Sequence, residues 1–220
     1  MCARPADRNA KIDLLQAAEA VFVERGLDGA RVEEITARAG KSKGAFYLHF
    51  ESKEDAFRQL VESMLARLSR CVEENRTVDA APPSVDALLA DWYGKDLEVL
   101  EFVWQNRRLM RLLFEGGGSA AYAYLIDEFY ERNRRTVEQG FRLGVEAGFF
   151  RRELDVPFAA TAISGLYERV CRDVVKAEER PDFRHLARQL QLFVLVGLAS
   201  DTLRPAVLDQ PATIPAKEPA

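Results

Sequence analysis

The chain has 220 residues, 48% of them hydrophobic and 30% charged, and a net charge of −4; that is apolar material for one large core or for a small domain beside a larger one. The acidic total excludes a protein whose whole surface attracts polyanions, so any nucleic-acid site must be local. Cys2, Cys71 and Cys171 stand far apart, with no CxxC and no neighbouring histidine cluster, which excludes a disulfide framework and fits a reducing, cytoplasmic setting.

Apolar residues recur at three- and four-residue intervals rather than alternating, so the expected fold class is all-α. Met1 to Ala10 is polar and does not read as a signal peptide. No window approaches about 18 uninterrupted apolar residues, so no membrane partner is expected. A first helix is predicted from about Arg8 to Arg25, with Ile12, Leu15, Ala18 and Phe22 on its inner face and Gly26 closing it in a left-handed conformation. Leu27 to Ala30 then reads as a turn, and Val32 to Ala39 as a two-turn helix stopped by Gly40. Lys43 to Phe50 is a second short helix, with Phe46 and Phe50 sharing a face.

Ser52 and Asp55 have the spacing of a capping box and open a long helix whose apolar face runs through Phe57, Leu60, Val61, Met64, Leu68, Cys71 and Val72. Pro82-Pro83 marks a hinge or loop. Val85 to Phe114 is one long or two broken helices closed by Gly116-Gly117-Gly118, and Ala120 to Ala147 follows with Gly148 as its stop. Pro157 to about Lys176 and Asp182 to about Leu203 are the last helices, before an extended tail from Arg204 that holds four of the nine prolines. The expected organisation is a DNA-binding domain over residues 1–52, a helical regulatory domain over 53–204 and a Pro-rich tail over 205–220.

Two short helices joined by a glycine-containing turn, with a helix in front to bury their apolar faces, is the helix-turn-helix arrangement. Charge sharpens that reading. From Thr36 to Phe50 the chain carries Arg38, Lys41 and Lys43 and no acid, whereas residues 51–220 hold 23 basic and 28 acidic side chains. On a helical wheel Phe46 and Phe50 point inward while Gly44, Ala45, Tyr47 and Leu48 fan across the other side. That face is poor in long side chains, so the backbone can approach base edges in the major groove. Lys41, Ser42, Lys43, His49 and Lys53 border it within reach of phosphate oxygens.

The stretch Val32 to Phe50, through Ala39-Gly40, Ser42-Lys43-Gly44, Tyr47 and Phe50 and on to Ser52-Lys53-Glu54, closely resembles the TetR-family DNA-binding signature. Ala17-Ala18, Phe22 and Gly26 fit that family's first helix. The resemblance implies that Ser42, Lys43, Gly44, Ala45, Tyr47, His49 and Lys53 lie at or near double-stranded operator DNA. Ala30 and Arg31 stand where the family usually has a hydroxyl-bearing cap, so the cap is lost and Arg31 becomes the candidate phosphate contact. Lys41 adds charge to a commonly apolar position, and Leu48 limits any base contact there to an apolar one, such as a thymine methyl.

Beyond about residue 75 the resemblance is one of layout. It implies a helical regulatory core, a small-molecule effector and a homodimer closed by the last two helices. Phe158, Ala162 and Gly165, with Leu190, Phe193, Val194 and Gly197, form apolar stripes suited to that closure, and a plain core is the competing reading of either stripe. Twelve of the 21 aromatic residues fall between Trp92 and Phe150, as they would in an apolar pocket or an ordinary core. Trp104, Phe114, Tyr122, Phe129, Asn133 and Tyr167 are candidate effector contacts. Gly116-Gly117-Gly118-Ser119 lacks the following Lys-Ser/Thr of a phosphate loop and reads as a connection.

With His49 and His185 the only histidines and no nucleophile beside a base, the sequence proposes no enzymatic reaction, metal or cofactor. The expected function is a transcriptional regulator, a repressor released from a palindromic operator by its effector. The alternative is a helical ligand-binding protein that no longer reads DNA, a reading prompted by the lost cap at Ala30.

Overall fold

A computed structural model describes residues 8–73, 84–114 and 122–198. Pro82-Pro83, Gly116-Gly117-Gly118-Ser119 and the tail from Arg204 lie outside the described residues. Among those described there are nine α-helices and no β-strand: α1 (Arg8–Gly29), α2 (Val32–Ala39), α3 (Lys43–Tyr47), α4 (Lys53–Glu73), α5 (Val85–Gln105), α6 (Arg107–Phe114), α7 (Ala123–Glu146), α8 (Val156–Lys176) and α9 (Phe183–Leu198). The chain forms two compact units, Met1–Arg67 with Asn106–Glu128, and Leu68–Gln105 with Phe129–Ala220.

In the first unit the expected punctuation has physical causes. Gly26 interrupts α1 at φ 70°, ψ 170°, a combination with positive φ that a side chain would strain. Gly40 ends α2 in the left-handed conformation, and its N–H and that of Lys41 return to Ala37 O and Thr36 O, satisfying carbonyls that the helix end orphans. The core consists of Leu14, Ala18 and Phe22 of α1, Ile35 of α2, Phe46 and Phe50 around α3, and Phe57 of α4, all buried. Phe22 and Phe57 meet edge to face at 5.3 Å. Ile12, expected inward, is 49% exposed, because the buried stripe of α1 runs through Leu14, Ala17, Ala18, Val21 and Phe22 instead.

Helix α4 opens with Ser52 as its cap, and the returning bond from Asp55 reaches Glu51 rather than Ser52 itself. Ser52 Oγ accepts the Asp55 N–H at 3.1 Å, and Asp55 Oδ2 reaches back to accept from the Glu51 N–H at 3.1 Å. The stretch 85–114 is broken, with α5 ending at Gln105 and α6 starting at Arg107. Helix α6 buries Leu109, Met110 and Leu113 and packs on α1. Residues 106–128 therefore join the first compact unit, although they follow the expected regulatory boundary at residue 53 in sequence.

The second unit is built on α5, α8 and α9. Leu88, Leu89, Val137, Phe141, Phe150, Ala160, Val194, Leu195 and Leu198 form its core, with Trp92 packed against it. Gln191 is buried there and donates from Nε2 to Leu89 O at 2.7 Å. Gly148 at φ 80° turns the chain after α7, and the N–H groups of Phe149 and Phe150 return to Gly144 O at 2.9 and 3.1 Å. That turn tucks the Phe150 ring between Trp92 and Phe141, at 5.7 and 5.5 Å. Asp155 caps α8 by accepting from the Phe158 N–H at 3.0 Å.

Candidate nucleic-acid interface

Helix α3 is shorter than the expected Lys43 to Phe50, ending at Tyr47 with Leu48 as C-cap. Its start is fixed by Ser42, whose Oγ accepts the Ala45 N–H at 3.1 Å. Phe46 and Phe50 are buried against each other with ring centroids 5.0 Å apart, which anchors the helix and turns its other side outward. Ser42, Lys43 and Gly44 are exposed, Ala45 and His49 are half-buried, and Tyr47 and Leu48 are 57% and 68% exposed. A Cβ at Gly44 would meet only Ser42 Oγ, at an ordinary 3.7 Å. Nothing in the chain itself therefore requires glycine there.

The basic residues are where the sequence places them but not in the state it implies. Lys43 Nζ contacts Glu33 Oε1 at 2.5 Å, Lys41 Nζ contacts Asp13 Oδ2 at 3.0 Å, and Arg38 grips Glu24 with two hydrogen bonds of 2.8 and 2.9 Å. Hydrogen bonding to Lys43 holds the Glu33 carboxyl below its ordinary range, and Glu33 in turn raises the Lys43 ammonium. Arg38 does the same to Glu24. Lys53 donates from Nζ to Asp28 O at 2.9 Å and to Ala30 O at 3.1 Å, tying the loop before α2 to the start of α4. Arg31 is the extended N-cap of α2 and makes no side-chain cap; Glu33 and Glu34 in the first turn favour the helix N-terminus electrostatically. Sequence reasoning missed Asp13, Glu24 and Glu33, because each lies 10 to 28 positions from its cation in another helix.

The six candidate effector contacts divide between the units. Phe114 and Tyr122 belong to the first, where Tyr122 donates to Glu54 O at 3.2 Å and its ring lies 5.2 Å from Phe57. Trp104, Phe129, Asn133 and Tyr167 belong to the second. Trp104 meets Phe183 at 6.4 Å and Phe129 meets Tyr130 at 5.4 Å. Tyr167 donates to Asp96 Oδ1 at 2.6 Å, and Asp96 is a buried carboxylate that no motif singled out. Asn133 Oδ1 and Ser164 Oγ are buried without a hydrogen-bond partner. Burial, with Asp96 and Glu168 nearby, pushes the Cys171 thiol up to about 12.

Of the expected closure residues, Phe158, Ala162, Gly165, Phe193 and Gly197 are exposed on α8 and α9. Leu190 and Val194 are not; both are buried in the second unit's own core, because one position along a helix turns a side chain by about 100°. Among the described residues, no group of histidine, cysteine and acidic side chains could hold a metal ion, and no helix is long and apolar enough to cross a membrane.

A capped short helix presented by two others, with Gly44, Tyr47 and Leu48 on its outer face and lysines at its start, defines a helix-turn-helix DNA-binding unit. Residues 14–60 match the family model described as bacterial regulatory proteins, tetR family. The repressor AcnR of Corynebacterium glutamicum is 34% identical over 92 residues, 41% of this chain and 49% of AcnR, so that match spans about half the length of the relative. The uncharacterized transcriptional regulator YfiR of Bacillus subtilis is 22% identical over 201 residues, 86% of this chain and 92% of YfiR. A solved complex of SmeT with triclosan has a TM-score of 0.76 at 23% identity, covering 97% of this chain and all of SmeT; SmeT is the repressor of a Stenotrophomonas maltophilia multidrug efflux pump. Over residues 14–60 the chain is similar to the tetR-family regulatory proteins, and over most of its length it shares the fold of SmeT.

Proposed function

We propose that this protein is a transcriptional repressor that binds a palindromic operator as a homodimer and is released when a small molecule occupies its second unit. The observation that carries the reading is the outer face of α3, where Gly44, Tyr47 and Leu48 stand exposed on a helix locked from behind by Phe46 and Phe50. Such a face fits the major groove, with Leu48 suited to a thymine methyl and Ser42 and Lys43 suited to phosphate. AcnR is named a repressor and SmeT was solved with triclosan, which supports both the DNA partner and the small-molecule effector. The relatives are named as transcriptional regulators, which supports a regulatory rather than an enzymatic role, exercised in the cytoplasm beside the genome.

A twofold dimer would set two α3 helices on successive major grooves, about 34 Å apart. The exposed Phe158 and Phe193, flanked by Ala162, Gly165 and Gly197, supply a surface for that closure. Trp104, Phe129, Asn133 and Tyr167 are the effector contacts favoured in the second unit. Helices α4 and α7 each run from one unit into the other, so a ligand that prefers one arrangement of the second unit can bias the first. A coupling of about 1–3 kcal/mol changes operator affinity roughly 5- to 150-fold.

The test is selection of genomic fragments by the purified protein, followed by mobility shifts on the selected duplex with the wild type and Tyr47→Ala. Sequence-specific retention lost in Tyr47→Ala supports the reading. Failure to select any sequence over bulk DNA refutes it and favours a ligand-binding protein without an operator.

A further inference from the structure

The segment 36–50 owes its basic character to three side chains, Arg38, Lys41 and Lys43, and contains no acid. In the folded chain each of the three contacts a carboxylate contributed by a neighbouring helix: Glu24 and Asp13 from α1, and Glu33 from α2. These pairs do little for the fold. The Lys43 and Glu33 side chains are 56% and 59% exposed, and solvent screens such pairs to small net contributions. Their position is the informative feature, because Lys43 is the first residue of α3.

We propose that Glu33, with Asp13 and Glu24, is a built-in competitor for DNA phosphates, so that docking exchanges a carboxylate for a phosphate and sequence-independent binding is restrained. The inference rests on the DNA-binding reading above. An unpaired lysine gains from the phosphate of any duplex and releases about one counterion in doing so. A lysine already held by Glu33 gains only the difference between its two partners. While Glu33 keeps Lys43, the phosphate that the lysine would neutralise keeps its condensed counterion, and the salt slope lacks that contribution. Lys43 thus contributes little to indiscriminate affinity until Gly44, Tyr47 and Leu48 are seated well enough for the exchange to be favourable. Glu33 stays ionised and Lys43 stays protonated across the neutral range, since each shifts the other away from neutrality.

The experiment uses the full chain and a fluorescent random-sequence duplex, with anisotropy titrations at several salt concentrations between about 50 and 200 mM. Glu33→Gln should bind about two- to fivefold tighter at the low end and steepen the slope of log K against log salt by up to about 0.9. In a Lys43→Met background, Glu33→Gln should give no gain. Thermal melts of all variants establish that each is folded. No gain from Glu33→Gln, or a gain undiminished by Lys43→Met, overturns the exchange, the second because Glu33 would then act as a general repulsive charge. A wild type that binds no duplex at low salt overturns the DNA-binding reading and this inference together, whereas binding that ignores Glu33→Gln overturns this inference alone.

Discussion

Phe193 and Phe158, at 75% and 71%, are the most exposed of the large apolar side chains among the described residues, and Phe193→Ala is the sharpest test of the dimer. Fully burying a phenylalanine is worth about 1.5–3 kcal/mol, and the exposed three-quarters of Phe193 leaves roughly 1–2 kcal/mol to be gained when a partner covers it. In a twofold interface the residue occurs twice, so truncation removes about 2–4 kcal/mol from association and raises the dimer Kd roughly 30- to 700-fold. The isolated chain should barely notice, since an exposed substitution typically changes stability by about 0.5 kcal/mol or less. Leu190, buried on the same helix, is the control: Leu190→Ala should cost about 2–5 kcal/mol of folding stability. Sedimentation equilibrium over a graded concentration series reads the Kd, and a thermal melt reads the stability. A wild type that remains monomeric at micromolar concentration, or a Kd unmoved by Phe193→Ala, refutes the assignment of this face.

Gly144→Ala should destabilise the second unit, because a Cβ there falls well inside 3.0 Å of the Phe150 ring, which is buried between Trp92 and Phe141. Overpacking of about 1–3 kcal/mol, less about 1 kcal/mol gained in helix propensity, should lower Tm by a few degrees, and a raised Tm would contradict the packing. Gly44→Ala should leave Tm unchanged or slightly higher, since its Cβ meets only Ser42 Oγ, while operator affinity falls at least about tenfold, the scale of one lost base contact; equal affinity removes close backbone approach from the recognition scheme. Hydrogen bonds from Arg134 and Arg135 hold the Glu131 carboxyl at about 2, against an ordinary 4.5. A depressed folded-state value means that this stabilisation is present above pH 4.5 and lost as pH falls through about 2; a carboxyl NMR titration centred near 4.5 would show those pairs to be unformed.

The features legible in the sequence are those that local chemistry determines. Gly26, Gly40 and Gly148 end or interrupt helices because they adopt positive φ, and Ser42 and Ser52 cap because a hydroxyl one residue before a helix reaches the N–H three positions on. Tertiary partners escape such reading. Position alone marks Lys53 as a candidate phosphate contact, but does not show that its ammonium also donates to Asp28 O and Ala30 O, carbonyls more than twenty residues away. Apolarity groups Leu190 and Val194 with Phe193, and only the phase of α9 against its own core separates them. The affinity of α6 for α1, which draws residues 106–128 into the first unit, depends on Leu109, Met110 and Leu113 finding a neighbour that no local pattern names.

Charge and exposure have traded places relative to a simple reading of composition. The cations of residues 36–50, which suggested an electrostatic footprint, are each matched to a carboxylate, while the exposed surface of α3 offers an aromatic and an aliphatic side chain. A duplex approaching this unit therefore meets a face whose net charge is small and whose outward groups are Tyr47 and Leu48. Phosphate attraction alone is nearly indifferent to sequence, whereas contact with thymine methyls and base edges is not. Muting the first term leaves the second a larger share of the binding free energy, and a protein of net charge −4 can then discriminate an operator from bulk DNA without a strongly basic surface.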